Sequence, residues 1–192
     1  MSFVSVVATE HFVTVMSDGR VKNMETGEIL EEDYVKFHKS SDGKQFVAYA
    51  GNKQLCEILS KKILQYLEDG CEYDNLILIL NTTIYDTFKD QFGVMFAFGG
   101  INKDKQIEVY AYGNKKQGVL KFKPENGNLA YTFLFHGKIS DGELDEKFDG
   151  LIKEIGRDTP SKIIQSQKLL NSYVSEQDDT VNNNTFRMII KR

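Results

Sequence analysis

Apolar and polar residues alternate along Phe3–Ala8 and again along Phe12–Ser17, the two-residue period of strands in a sheet. Thr9-Glu10-His11 forms the polar corner between them. A short strand-like segment follows at Tyr34–His38, and Gln45–Ala50 reads as another strand. Ser41-Asp42-Gly43-Lys44 joins these last two with hairpin chemistry, because Asp-Gly supplies the positive φ of a tight turn. Lys22–Asp33 is polar, contains the turn Thr26-Gly27-Glu28, and reads as a loop.

From Lys53 the period changes. Leu55, Ile58, Leu59, Ile63, Tyr66 and Leu67 recur at helical spacing, and Gly70 sits where a helix would stop. A second helix is expected over Asn75–Phe88, apolar on all sides and so expected to be buried on several. Its β-branched residues Ile77, Ile79, Thr82, Thr83 and Ile84 make strand the competing assignment.

Alternation then returns at Phe92–Phe98, Gln106–Tyr112, Gly118–Phe122 and Ala130–Phe135, linked by polar turns in the manner of a meander. Helices are expected at Glu143–Ile155 and Ser161–Val174, the latter opened by Thr159-Pro160 as cap and first-turn proline. A strand at Thr185–Ile190 closes the order. There are no repeats and no low-complexity tract, so residues 1–192 read as a single domain.

Composition removes several classes of function. With 24 basic and 28 acidic residues the net charge is −4, which gives no electrostatic footprint for nucleic acid. No apolar run is long enough to span a bilayer, and no basic segment leads into an apolar export signal, so the cytoplasm is the expected compartment. Cys56 and Cys71 flank a predicted helix and read as buried or half-buried thiols. His11, His38 and His136 are scattered without metal-ligand spacing; no metal or organic cofactor is expected.

The order of elements is strands, two helices, strands, two helices, strand. Two antiparallel sheets packed face to face, with a helix pair outside each, would bury every apolar face. The expected fold class is therefore α+β, a four-layer α/β/β/α sandwich. In that architecture and in its first residues the chain resembles the N-terminal-nucleophile hydrolases of the proteasome β-subunit type, which include the peptidase of a bacterial two-component ATP-dependent protease. The resemblance spans nearly the whole chain in element order and is detailed as far as Gly51.

The resemblance implies specific roles. Ser2 falls in the place of the N-terminal nucleophile, Asp18 in that of the family aspartate, and Lys36, within Tyr34-Val35-Lys36-Phe37, in that of the lysine. Ala50-Gly51 matches the pair whose glycine amide forms the oxyanion hole. Near the C-terminus Asp179-Thr180-Val181-Asn182 keeps the family acid as Asp179 and carries Asn182 where a serine is usual. Phe3 replaces a small hydroxyl residue, and His136-Gly137 stands for a Ser-Gly.

Once Met1 is removed, Ser2 would hold a hydroxyl nucleophile and, in its α-amine of ordinary pKa about 7.7–8.0, a base suited to neutral pH. Lys36 would hold positive charge beside them, Asp18 would fix Lys36, and the Gly51 amide would face the oxyanion. The implied reaction is cleavage of a peptide or small amide through an ester on Ser2, and the implied assembly is a homo-oligomeric ring. Two classes of function stay open: such a hydrolase, or a catalytically silent protein of the same fold with an assembly or binding role. An unrelated sandwich enclosing a small ligand is the third.

Overall fold

Strand β1, Val4–Ala8, is buried along its whole length, which requires cover on both of its faces. Its alternation divides the cover: Val4, Val6 and Ala8 point into one apolar cluster, Phe3 and Val7 into another. The computed structural model describes residues 2–82, 93–114 and 119–192. Met1, Phe92, Gly118, the Lys115-Lys116 pair and the end of the Asn75–Phe88 helix beyond Thr82 lie outside them.

β1 pairs with β2, Phe12–Asp18, through the Thr9 corner, and β2 pairs on its far side with β11, Thr185–Lys191. The second sheet contains β5, Phe37–Lys39, and β6, Gln45–Gly51, joined by the Asp42-Gly43 hairpin. It continues through β7, Val94–Ile101, β8, Ile107–Gly113, and β9, Val119–Phe122, in unbroken antiparallel order. The meander stops there. β10, Ala130–Leu134, leaves that sheet and pairs with β1, giving the first sheet the order β10-β1-β2-β11. Local alternation shows that a strand exists but not which sheet receives it; here Phe133 and Tyr131 find cover under the helices of the first sheet.

Between the sheets, Val4, Val6, Val13 and Val15 meet Phe46, Ala48, Ala97 and Val109. Outside the second sheet lie α1, Lys53–Glu68, capped by the Asn52 side chain, and α2, Tyr73–Leu80. The β-branched stretch after Asn75 is thus helical where it is described. It is not buried on several sides, however: Leu76 and Leu80 face the sheet while Leu78 is 63% exposed, because α2 packs on a sheet rather than within a bundle. Outside the first sheet lie α3, Asp141–Ile155, and α4, Pro160–Gln177, capped by Ser140 and Thr159. The four-layer α/β/β/α architecture follows directly, with antiparallel sheets and one helix pair on each outer face.

One segment departs from the expected loop. Within Lys22–Asp33 a small ribbon forms from β3, Val21–Lys22, and β4, Ile29–Glu31. The Asn23 side chain accepts from the amides of Glu25 and Thr26 at 2.9 and 3.2 Å and closes the turn between the strands. Cys56 is buried, with its thiol pushed up to about 12 by desolvation, and Cys71 is half-buried; both are free. No helix among the described residues is long and apolar enough to cross a membrane.

Phe46 is fully buried between the sheets, so Phe46→Ala should destabilise the fold by about 3–5 kcal/mol. Equilibrium urea unfolding measures this, and a loss below about 1 kcal/mol would contradict the face-to-face packing.

Candidate active site

The sandwich brings one end of each sheet together. In the first sheet Val4 lies opposite Ser17, so the residues before β1 and the end of β2 share that end. In the second, the Tyr49 amide donates to the Lys36 carbonyl at 3.0 Å, which sets Lys36 just ahead of β5 and beside the last residues of β6. Lys36 and Asp18 then meet between the sheets. The Lys36 ammonium donates to Asp18 Oδ1 at 2.6 Å, to the Asp18 carbonyl at 2.9 Å and to the Arg20 carbonyl at 2.9 Å. Three donors meet three acceptors, all supplied by the turn Asp18-Gly19-Arg20.

Both side chains are shut from solvent, Lys36 at 2% exposure and Asp18 at 0%. Burial holds the Lys36 ammonium below the ordinary lysine range, and the Asp18 charge and hydrogen bond pull against that shift. Asp18 also reaches the chain start. Its Oδ1 accepts from the Phe3 amide at 2.8 Å, and its own amide donates to the Phe3 carbonyl at 3.1 Å. One carboxylate oxygen therefore joins the Lys36 ammonium to the peptide directly behind Ser2, and Ser2 itself is buried. Asp18 Oδ2 accepts from the Arg20 amide at 2.9 Å, which completes the turn.

Gly51 ends β6 at φ +126, and a Cβ there would lie 2.2 Å from the Gly93 carbonyl oxygen, so only glycine fits. It is exposed, two residues beyond the Tyr49 that binds Lys36, and so lies at the same end of the sheet.

Asp179 has different company. Its side chain is 71% exposed and pairs with Lys22 at 2.5 Å, while its carbonyl accepts from Arg20 Nη1 at 2.8 Å. The buried acid is its neighbour Asp178, at 1% exposure. Asp178 Oδ1 accepts from the Thr180 amide at 3.0 Å and hydroxyl at 2.6 Å, and Oδ2 accepts from the Lys138 amide at 3.3 Å. Burial pushes this carboxyl up, but the hydrogen bonds from Thr180 and Lys138 outweigh it and leave the pKa below the ordinary aspartate value. Lys22, Asn23, Met24, Gly27, Lys138 and the Asp178–Thr180 segment line a cleft of about 200 Å³ beside this turn. The structure thus joins Asp18 to Lys36 and to the backbone of Phe3, the residue after Ser2, places Gly51 at the same end, and turns Asp179 outward. In Asp178-Asp179 the sequence offers two adjacent acids with opposite directions; Thr180 binds Asp178 locally, and the Lys138 amide and Lys22 ammonium, distant in sequence, take one acid each.

Solved structures share this architecture. The chain matches eukaryotic HslV from Trypanosoma brucei with a TM-score of 0.65 and 12% identity, over 99% of both chains. It matches Anbu (ancestral beta-subunit) from Yersinia bercovieri with a TM-score of 0.71 and 15% identity, over 98% of this chain and 81% of that one. An Anbu Gly-1 mutant from Hyphomicrobium sp. strain MC1 aligns with a TM-score of 0.73 and 12% identity, over 100% and 82%. No protein-family model and no curated protein matches the sequence. The fold is therefore that of the proteasome β-subunit-like N-terminal-nucleophile hydrolases, at low sequence identity.

Asp178 yields a pH prediction. A carboxyl whose folded pKa lies below its unfolded value stabilises the fold fully above the unfolded value, near pH 4, and loses that contribution as pH falls through the folded value. Asp178→Ala should destabilise by about 1–3 kcal/mol at pH 7, with the gap from wild type narrowing below pH 4. Urea midpoints measured from pH 3 to 7 test this; a gap that stays constant across the range contradicts it.

Proposed function

We propose that the chain is an N-terminal-nucleophile hydrolase that cleaves peptide or small amide bonds through Ser2 once Met1 has been removed. The observation that carries this reading is the Asp18 oxygen shared by the Lys36 ammonium and the Phe3 amide, which fixes the backbone behind Ser2 beside a buried cation. Because the three Lys36 donors are already matched, the cation acts through its field. It lowers the proton affinity of a neighbouring amine and stabilises negative charge on Ser2 Oγ.

In the proposed reaction Ser2 Oγ bonds to the substrate carbonyl carbon as its proton passes to the Ser2 α-amine. The carbonyl oxygen becomes an oxyanion that accepts from the Gly51 amide, a type of contact worth about 10²–10³ in rate. Collapse breaks the C–N bond, and the α-ammonium returns its proton to the leaving amine. A water molecule, deprotonated by the same α-amine, then attacks the ester, releases the carboxylic acid and restores Ser2. Each step uses only groups of this chain, the substrate and water.

A second reading, a silent member of the fold with an assembly or binding role, draws on the C-terminal turn. Asp179 is taken up by Lys22, and Asn182, in the place of a family serine, is fully engaged elsewhere. In either reading the exposed Ile58, Tyr66 and Leu78 on α1 and α2 would serve contacts in a homo-oligomeric ring. A cytoplasmic setting suits both.

Intact mass of protein purified from its native host should show loss of Met1. A fluorophosphonate should then add once, at Ser2, and Ser2→Ala should abolish the adduct. The labelling rate should rise with pH through a midpoint at or below about 7.7, since the neutral amine is the active form and a nearby cation favours it. Retained methionine, or unchanged labelling of the Ser2→Ala protein, would leave the silent reading.

A further inference from the structure

Every acceptor of the Lys36 ammonium comes from the turn Asp18-Gly19-Arg20, so whatever holds that turn sets the environment of the lysine. The Gly19 amide donates to Asn182 Oδ1 at 2.9 Å. Asn182 Nδ2 donates to the Glu32 carbonyl at 2.9 Å and also to the Glu32 carboxylate. That carboxylate in turn receives Arg20 Nε at 3.2 Å and Nη2 at 3.0 Å. The Asn182 carbonyl accepts from Asn171 Nδ2 at 2.8 Å, and Asn171 lies on the buried face of α4. Asn182 is itself buried, and both ends of its amide are occupied.

The segments meet closely. A Cβ on Gly19 would lie 2.3 Å from the Glu32 carbonyl oxygen and 3.2 Å from that of Asn184, so the turn is clasped between the Glu32 loop and the strand entering β11. Hydroxyl chemistry at position 182 could not span this gap in the same way. A serine has one short hydroxyl, whereas the asparagine amide offers an acceptor to Gly19 and, on the opposite atom, donors to Glu32.

We propose that Asn182 is a positioning residue: it clamps the Asp18–Arg20 turn to Glu32 and α4, and by binding the Gly19 amide it orients the Asp18–Gly19 peptide, whose Asp18 carbonyl accepts from Lys36. The reading of Lys36 as the cation beside Ser2 rests on the function proposed above; the clamp itself does not. Without Asn182 the Asp18–Gly19 peptide loses the bond that orients it, its Asp18 carbonyl is held less firmly on the ammonium, and the charged form of Lys36 is less favoured in a buried site.

The test is the titration of Lys36 Nζ, followed by NMR of lysine-labelled protein in the full chain. Asn182→Ala should weaken its proton affinity about tenfold, a midpoint about one pH unit lower, and Asn182→Ser should shift it in the same direction. Asn184→Ala serves as the control. Asn184 binds the Glu32 carbonyl at 3.3 Å and Asp33 at 3.2 Å but not the turn, so general loosening of this loop would move both. An unchanged Lys36 midpoint in the Asn182 variants, or an equal shift in Asn184→Ala, overturns the proposal. In wild-type protein, independent of any variant, the Gly19 amide and the Asn182 Nδ2 protons should exchange at least about 100-fold more slowly than unprotected amides. Exchange at unprotected rates also overturns it. If wild-type Ser2 takes no fluorophosphonate the hydrolase reading falls, while the Lys36 titration still decides the clamp.

Discussion

A lysine ammonium at 2% exposure between two sheets survives only if its charge is matched and each of its protons has an acceptor. Taking an ion pair out of water costs several kcal/mol per ion, and Coulomb attraction alone repays that poorly. The chain solves the problem within one turn, which gives Lys36 a carboxylate and two carbonyls. Much of the surrounding architecture supports that turn. Phe3, just ahead of β1, anchors it, Glu32 fixes Arg20, and Asn182 ties it to the C-terminal segment.

The same demand explains why polar residues penetrate the layer beneath α4. Gln167 Nε2 donates to the Ser5 carbonyl and hydroxyl, both at 3.0 Å, and Asn171, one helical turn on, reaches Asn182. A helix packed on a sheet by apolar contacts alone could slide along it. These directional bonds give α4 one register over the first sheet, beside the residues that start β1.

Much of this was readable in the residue pattern. Period-two and helical segments give the order of elements, and that order leaves few ways to bury every apolar face. Asp18 and Lys36 are singled out by the resemblance, which places an aspartate and a lysine around short strands ahead of Gly51, and not by the local pattern, which gives only a turn residue and a strand-edge lysine. The rest depends on distance in sequence. Nothing local to Ala130–Leu134 tells it to leave the meander, because its partner β1 lies near the other end of the chain. The ribbon of Val21–Lys22 and Ile29–Glu31 is too short for alternation to register. Asp178 rather than Asp179 is held from afar by the Lys138 amide, 40 residues away, beside its local bonds to Thr180, and Asn182 is used by Gly19 and Glu32.

The position of β1 in its sheet has a temporal consequence. It is an interior strand, flanked by β2 from its own neighbourhood and by β10 from far along the chain, and β2 waits in turn for β11. The Gly19–Asn182 bond spans 163 residues. During synthesis Val4–Asp18 leave the ribosome well before Thr185–Lys191, so their sheet stays incomplete until β11 emerges, since such distant pairings close late. The Asp18 turn beside Phe3 therefore gains its full set of neighbours only after β11 and Asn182 have been made.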